Sequence, residues 1–324
     1  MVTQKDIADN LGVSIAVVSR ALSGKAKEIG LSQDTVRKVL ETADRMGYVP
    51  NANARILRGA SSYTLGVLAS SFNDPFLGVI IGELQRIAAE QKYSLVIEGL
   101  SNNTGALLKH QVNGLIIVGS CESLDWAEAY HANRIPCVCI GHTPESDWVQ
   151  TVTVDEAAGF QLLVEHLLEL GHQHLGFIGG NSLLHHQRQQ HFRRFAADGT
   201  RDEWIVTSDA SPTEAGREAA QALIEQSGPE KPSAIIAASD IRALGALRGL
   251  LDEGYSVPLD VALTGFDDIP LAEYAIPSLT TIRQPIDAIC EAAFRTVTGG
   301  ELSQVRLPPE LVVRGSTTAQ YISG

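Results

Sequence analysis

Long apolar runs are the first thing this sequence lacks. The longest, Gly114 to Gly119 and Ile135 to Ile140, fall far short of the roughly 20 residues needed to cross a bilayer. The opening stretch MVTQKDIADN is polar and has no signal-peptide core, so the chain is expected to stay in the cytosol, away from membranes. Cysteine is scarce, with four in 324 residues: Cys121, Cys137, Cys139 and Cys290. Cys137 and Cys139 flank one residue of a strand-like run and so share a sheet face. A zinc site would want Cys-x2-Cys spacing and further partners, so the four read as buried thiols in a reducing compartment. Missing as well are a Gly-x-Ser-x-Gly elbow, a P-loop and a Gly-x-Gly-x-x-Gly fingerprint. His185, His186 and His191 cluster, but no Cys, Asp or Glu stands beside them at ligand spacing, and they read as part of a polar helix. No metal, no cofactor and no catalytic pair is expected, so an enzyme is not the expected reading.

What is present is an asymmetry of charge. The net charge is −13, yet residues 1–60 hold nine Lys/Arg against six Asp/Glu, a balance of +3 that leaves −16 on the rest. A basic head on an acidic body suits a polyanion contact confined to the head. Between the two lies Val49-Pro50-Asn51-Ala52-Asn53-Ala54-Arg55-Ile56-Leu57-Arg58. Asn51 is a good N-cap, the next seven residues are mostly helix formers, and Gly59 ends the run. A helix this short is marginal in water and would form only when held. Two arginines beside Ile56 and Leu57 suit a minor groove, where arginine is attracted and an apolar wedge can part a base step. The plainer reading is an interdomain linker with one helical turn.

Three short helices are expected before it. Thr3 caps the first, with Ile7, Ala8 and Leu11 on one face and Gly12 ending it. Ser14 caps a second that runs through Leu22. After a polar loop, Ser32 caps a third, whose Val36, Val39, Leu40, Ala43 and Met46 recur at helical spacing up to Gly47. Two helices joined by a glycine turn and braced by a third form a helix-turn-helix unit. In its second helix Val18 and Leu22 make the buried stripe, leaving Ile15, Ala16, Ser19 and Arg20 outside. Arg20 could fork onto a guanine, and Ile15 or Ala16 could touch thymine methyls. The alternative is a plain three-helix bundle with a solvated arginine.

From Tyr63 short apolar runs alternate with helical ones. Strands are expected at 64–69, 94–98, 114–118, 136–140, 175–179, 204–207, 234–238 and 261–265. Helices are expected near 76–90, 122–132, 156–170, 187–197, 213–227, 241–253 and 286–298. The alternation means parallel sheets covered on both faces, and so many strands call for two subdomains with a cleft between them. Ligands in such sheets gather at the carboxyl ends of strands. Asn73, Asp74 and Phe76 follow the first strand, Ser239 and Asp240 follow 234–238, and Asp267 and Asp268 follow 261–265. Arg188 lies on the helix after Gly179-Gly180. Carboxylates and an arginine converging on a cleft can hold a polyol through charge-assisted hydrogen bonds. Taken singly, each has a plainer role as a helix cap or a solvated side chain.

Five blocks of the head, in order, carry a resemblance: Lys5-Asp6-Ile7-Ala8, Gly12-Val13-Ser14, Val18 to Gly24, Gly47 to Asn51 and Ala54 to Arg58. They are similar to the head and hinge of the lactose-repressor (LacI/GalR) family of bacterial transcription regulators. The body continues it in Val154-Asp155, Leu170-Gly171-His172, Ala238-Ser239-Asp240, Val257-Pro258, Gly265 to Asp268 and Pro277 to Pro285. The resemblance implies a body like a periplasmic sugar-binding protein. It puts Ile15, Ala16 and Arg20 at base-reading positions and Leu57 at a minor-groove wedge, with Arg188 and Asp267 on the effector. This sequence departs from the family in three places. The Lys25 to Leu31 loop is slightly long. Leu100–Gln111 is too short for the usual full helix, which puts the packing of the first subdomain in question. Ser208 to Ser211 lies where many members carry an aromatic, and Ala210 in that place makes a roomier pocket.

The expected fold is therefore an all-α helix-turn-helix head (1–48), a hinge helix and linker (49–62) and an α/β body (63–324). The body is two doubly wound parallel-sheet subdomains, one of about 63–155 and 286–303, the other of about 156–285 and 304–324. The expected function is repression, as a homodimer on a pseudo-palindromic double-stranded operator, controlled by a sugar-like effector. The rival is a cytosolic sugar-binding or sugar-modifying protein with an accessory DNA-binding head. The candidate DNA-contacting residues are Thr3, Ser14, Ile15, Ala16, Ser19, Arg20, Asn51, Ala54, Arg55 and Leu57. The candidate effector-contacting residues are Asn73, Asp74, Phe76, Arg188, Ala210, Ser239, Asp240 and Asp267. No heptad run follows the body, so a coiled-coil tetramer is not expected.

Overall fold

A computed structural model describes residues 2–48, 62–100, 105–208, 210–226, 230–299 and 304–318. The expectations on the hinge, including its helix, lie outside them. The chain divides into two compact units, 1–62 and 63–324.

In the first unit, Thr3 closes a capping box with Asp6 on α1 (Gln4–Leu11), and Gly12 ends that helix in the left-handed region at φ 65°. Ser14 caps α2 (Ile15–Leu22) and Ser32 caps α3 (Gln33–Arg45), as the spacing predicts. A 3-10 turn, Ala26–Ile29, occupies the slightly long loop between them. Ile7, Ala8, Val18, Ala21, Val39 and Ala43 form the core. Leu22 is only half buried, and Ala21 rather than Leu22 completes the stripe with Val18.

In the second unit, β1 (Thr64–Ala69), β2 (Ser94–Gly99), β3 (Gly114–Val118), β4 (Cys137–Ile140), β5 (Val149–Val154) and β11 (Val305–Leu307) form a parallel sheet. Its order is β11-β5-β4-β3-β1-β2. Strand alternation splits it into two apolar faces. On one, Leu65, Val67, Ile116 and Val118 pack under α4 (Pro75–Glu90) and α11 (Ile286–Val297). On the other, Leu68, Leu115, Ile117 and Cys139 meet Leu107, Trp126 and Tyr130. Leu107 belongs to a 3-10 turn, Ala106–His110, that stands where a full helix would in the family pattern. It reaches the sheet because Gly66 leaves room: a Cβ there would sit 2.8 Å from Leu107 Cδ1. The Tyr130 hydroxyl accepts the Leu107 N–H at 3.0 Å. That short turn, with Trp126 and Tyr130, thus covers this face of the first sheet. The four cysteines are buried, free thiols.

A second parallel sheet, in the order β7-β6-β8-β9, joins β6 (Leu175–Gly179), β7 (Ile205–Thr207), β8 (Ala234–Ala237) and β9 (Ala262–Thr264). Helices α6 (Glu156–Glu169) and α7 (Leu183–Ala196) cover one face; α8 (Pro212–Gln226) and α9 (Asp240–Asp252) cover the other. A two-stranded antiparallel pair, β10 (Thr281–Arg283) and β12 (Glu310–Val312), stands beside it.

The chain crosses between the sheets three times, at β5–α6, β10–α11 and β11–β12. Here the expected boundary needs correction. Val305–Leu307 still pair with Val152–Val154 of the first sheet, so the return to the second lobe comes after Leu307 and not at about 304. Four strands, β5, β10, β11 and β12, were not among those expected, and α7 begins at Leu183, earlier than about 187, because Ser182 caps it. Among the described residues no helix is long and apolar enough to cross a membrane.

Candidate ligand cleft and nucleic-acid interface

Helix α2 presents its first turn outward. Ser14 accepts the Val17 N–H at 3.3 Å, fixing the helix start, and Ile15 and Ala16 follow it exposed. Ser19 and Arg20, one turn on, are half buried. Thr3 is engaged in its cap, with Oγ1 donating to Asp6 Oδ2 at 2.7 Å. The structure therefore places Ser14, Ile15, Ala16, Ser19 and Arg20 on one short helix, with small apolar groups first and the arginine behind. Asn51, Ala54, Arg55 and Leu57 lie outside the described residues.

In the body a cavity of about 310 Å³ opens at the carboxyl ends of both sheets. Asp74, Phe76, Arg188, Ser239 and Asp267 line it, as the sequence predicts. Asn73, Ala210 and Asp240 do not. Asn73 is exposed, and its N–H is turned back onto Ser71 Oγ. The Ala210 N–H closes a local turn onto Ser208 Oγ. Asp240 is fully buried and used internally. Its Oδ1 accepts from Thr281 Oγ1 at 2.5 Å and its Oδ2 from the Ile269 N–H at 2.8 Å. Burial drives its pKa up to about 6, against those two hydrogen bonds. Its part is to tie α9 to the segments around Ile269 and β10.

Arg188, 3% exposed, is the centre of the cleft's polar end. Its Nε donates to Glu156 Oε1 at 2.8 Å and its Nη1 to the Ala238 carbonyl at 2.5 Å. Its Nη2 reaches Glu156 Oε1 at 2.7 Å and Asp267 Oδ1 at 3.3 Å. The guanidinium also lies over the Phe266 ring, 4.2 Å from its centroid. Asp267 is further held by Gln284 Nε2 at 2.8 Å. Its φ of 117° is strained for a residue with a Cβ, and Asp268 follows at 52°. Asp268 is braced from outside by Arg283 and Arg314, each at 2.7 Å.

The two carboxyl partners of Arg188 respond differently. Burial pushes against ionisation of Glu156, but Arg188 and His142 outweigh it and hold its pKa at about 2. Asp267 moves well above the ordinary carboxyl value: burial dominates, Asp240 and Asp74 add to it, and Arg188 only partly opposes. The distances agree, since Glu156 is the closer partner. Asp74, which caps α4 through the Phe76 N–H, is also raised by burial. His185 is lowered to about 3 by burial and the neighbouring Arg242 and Arg188, so its ring is neutral at physiological pH.

Glu156, His142, His185 and Gln284 are among the cleft residues that sequence reasoning missed. The signal was there for Glu156: it follows β5, and a recognised strand at 149–154 would have put it at a carboxyl end. The His185, His186 and His191 cluster is dispersed. His185 lines the cavity, His186 Nδ1 bonds the Ser182 carbonyl and His191 packs near Phe160.

The comparisons with known proteins agree across nearly the full length. The model for bacterial regulatory proteins of the lacI family matches residues 3–51, and that for a periplasmic binding protein-like domain matches 164–317. Catabolite control protein A of Priestia megaterium is 30% identical, over 98% of this chain and 99% of its own. The HTH-type transcriptional regulator GalS of Salmonella typhimurium is 32% identical, over 90% of this chain and 88% of its own. Among solved structures, the lac repressor dimer bound to operator and the anti-inducer ONPF superposes with a TM-score of 0.84. It is 25% identical, with 98% of this chain and 99% of that one covered. With both the head and the periplasmic-binding-protein-like body matched in order, the chain belongs to the LacI family of bacterial regulatory proteins.

Proposed function

We propose that this chain is a sequence-specific regulator of transcription, a repressor whose operator affinity is set by a small molecule held in the cleft. It acts in the cytoplasm, as a homodimer of two-fold symmetry, on a pseudo-palindromic site. The observation that carries the reading is one chain holding a capped helix with outward Ile15, Ala16 and Arg20, and a cleft around a buried arginine. The likeness to the lac repressor dimer on its operator, and to relatives solved with cellobiose and with ribose, supports both halves. The same comparisons favour regulation over a sugar-binding or sugar-modifying protein with an accessory head. The cleft is assigned binding and release, with no chemical step.

The fold supports a switch of this kind. Three crossings join the two sheets, and a ligand touching both lobes changes the angle between them. We infer that this alters the spacing of the two hinge segments, 51–58, which lie outside the described residues, and with it their pairing on DNA, where Leu57 of each copy is assigned the central base step. Selection of bound duplexes from a random pool, followed by anisotropy titration with and without ligand, tests the reading. One pseudo-palindromic sequence should emerge, with ligand changing its affinity roughly 5- to 150-fold. Equal affinity for all duplexes would refute it. Amide exchange on the same samples should show residues 51–58 protected only on the operator.

A further inference from the structure

Carboxyl groups outnumber cationic ones around the cleft. Asp74, Glu156 and Asp267 line the cavity, against one guanidinium, Arg188, the imidazole of His142 beside Glu156, and no lysine among its described lining residues. That guanidinium is turned toward the protein. Glu156 holds its Nε and Nη2, Asp267 shares Nη2, the Ala238 carbonyl takes Nη1, and Phe266 covers its face. A ligand phosphate or carboxylate could fork onto Arg188 only by displacing Glu156 from the Nε/Nη2 edge, or Asp267 and the Ala238 carbonyl from the other. Glu156 is poorly placed to leave: it sits in the first turn of α6, its side chain is 5% exposed, and Arg188 keeps it ionised. The neutral His185 supplies no positive charge in exchange.

Glu156 also has capacity to spare. Its Oε2 is buried beside the cavity, forms an ion pair with His142 Nε2 at 3.4 Å and has no hydrogen bond among the described residues. Ser120 Oγ and His185 Nδ1 are likewise buried at the cavity without a hydrogen-bond partner there. A buried, ionised acceptor with only the one long contact to His142 has room for a further donor. Beyond this polar end, Leu77, Ile80, Ile140, Val152 and Ile289 line the cavity with aliphatic groups.

We propose that the cleft takes an uncharged or amine-bearing hydroxylated molecule with one apolar face, that it rejects phosphorylated and carboxylated ones, and that Glu156 sets this rule. The proposal rests on the cleft being the effector site and adds the charge class of the ligand. A hydroxyl or ammonium group donates to Glu156 Oε2, a charge-assisted bond. An anion meets the ionised Glu156, already paired to Arg188, where water screens little.

The test uses the full chain and matched probes: glucose, glucosamine, glucose 6-phosphate and gluconate; ribose and ribose 5-phosphate; adenosine and its monophosphate. Inorganic phosphate is compared with chloride at equal ionic strength. Thermal shift and calorimetry should find every anionic member at least ten-fold weaker than its neutral counterpart, and no phosphate shift in the wild type. In Glu156→Gln, with one edge of Arg188 released, phosphate should raise the Tm, and the anion penalty should shrink at least ten-fold. A wild type that prefers an anionic member overturns the charge rule but leaves the cleft in place. Continued rejection of phosphate by Glu156→Gln removes Glu156 from the role. Neutral binding unchanged in both Glu156→Gln and Asp267→Asn shows instead that the ligand lies elsewhere. If Glu156→Gln gives no cooperative melt, the wild-type panel and phosphate arm still decide the charge rule. If no sugar or nucleoside binds, the phosphate arm in both proteins decides it.

Discussion

The head and the cleft build recognition in opposite ways. On α2 the residues assigned to base reading stand outside a small apolar core, and Ile15 is 49% exposed. In the cleft the residues assigned to the ligand are the core, with Arg188, Glu156 and Asp267 each under 7% exposed and bonded to one another. The head can therefore change its reading residues at little expense to its fold. In the cleft, specificity and stability share the same atoms.

Arg188→Ala should give the largest effect. It leaves Glu156 and Asp267 buried without their cation, and breaking a buried pair in this way costs about 3–5 kcal/mol. Calorimetry should show the body's transition lowered by many degrees, along with lost ligand response. A ligand-blind protein of unchanged Tm would mean that the network contributes no stability, and the contrast with the head would fail.

Acid and base titration sharpens the cleft side. For Glu156 the folded pKa of about 2 lies below the ordinary 4.5, so its stabilisation is complete above 4.5 and is lost as pH falls from there toward 2. Asp240 has the opposite sign. Its folded pKa of about 6 exceeds the ordinary 3.8, so the folded state holds the extra proton between those values. Stability should fall as pH rises through that window, by on the order of 3 kcal/mol, and stay lower above it. Denaturant melts from pH 4 to 7 should show that slope in the wild type and a flattened one in Asp240→Asn. The same slope in both would place the proton elsewhere.

How much of this the sequence disclosed follows the same division. Helical periodicity is local, so Thr3, Ser14, Ser32 and the stripe through Val18 were legible over a few residues each. The cleft gathers residues from Ser70 to Ile289, and those found either follow a strongly apolar strand closely or, like Arg188, lie on the helix after one. β5 escaped because Gln150, Thr151 and Thr153 interrupt its apolar positions, and Glu156 escaped with it. β10, β11 and β12 are three residues each, too short for any period to show. Asp240 and Asp267 are alike in sequence, each an acid after a strand. Which one faces the cavity depends on Thr281 and Ile269, which close around Asp240 from elsewhere in the chain.

On the head, Arg20→Ala should leave the melting of the body unchanged. It should weaken the selected operator by about 1–3 kcal/mol and random DNA by much less, if its guanidinium reads a guanine. Equal losses on both duplexes would make it a phosphate contact.

The smallest expected effect separates folding from reading within the head itself. Thr3 is among the candidate DNA contacts, but its side chain is already committed: Oγ1 accepts the Asp6 N–H and donates to Asp6 Oδ2, while the Thr3 N–H bonds the same oxygen. Those bonds lower the Asp6 pKa, the hydroxyl first and the backbone N–H next. Thr3→Ala removes the cap and should destabilise the head by about 1 kcal/mol. Thr3→Ser keeps the hydroxyl and the box. If Thr3 acts only as a cap, the serine variant binds operator like the wild type, and the alanine variant recovers wild-type affinity on cooling, where the head is fully folded. Affinity still reduced in the cold would mean that Thr3 also touches the duplex. In that case the hydroxyl must leave Asp6 on binding, and the head would share the cleft's coupling of specificity to stability.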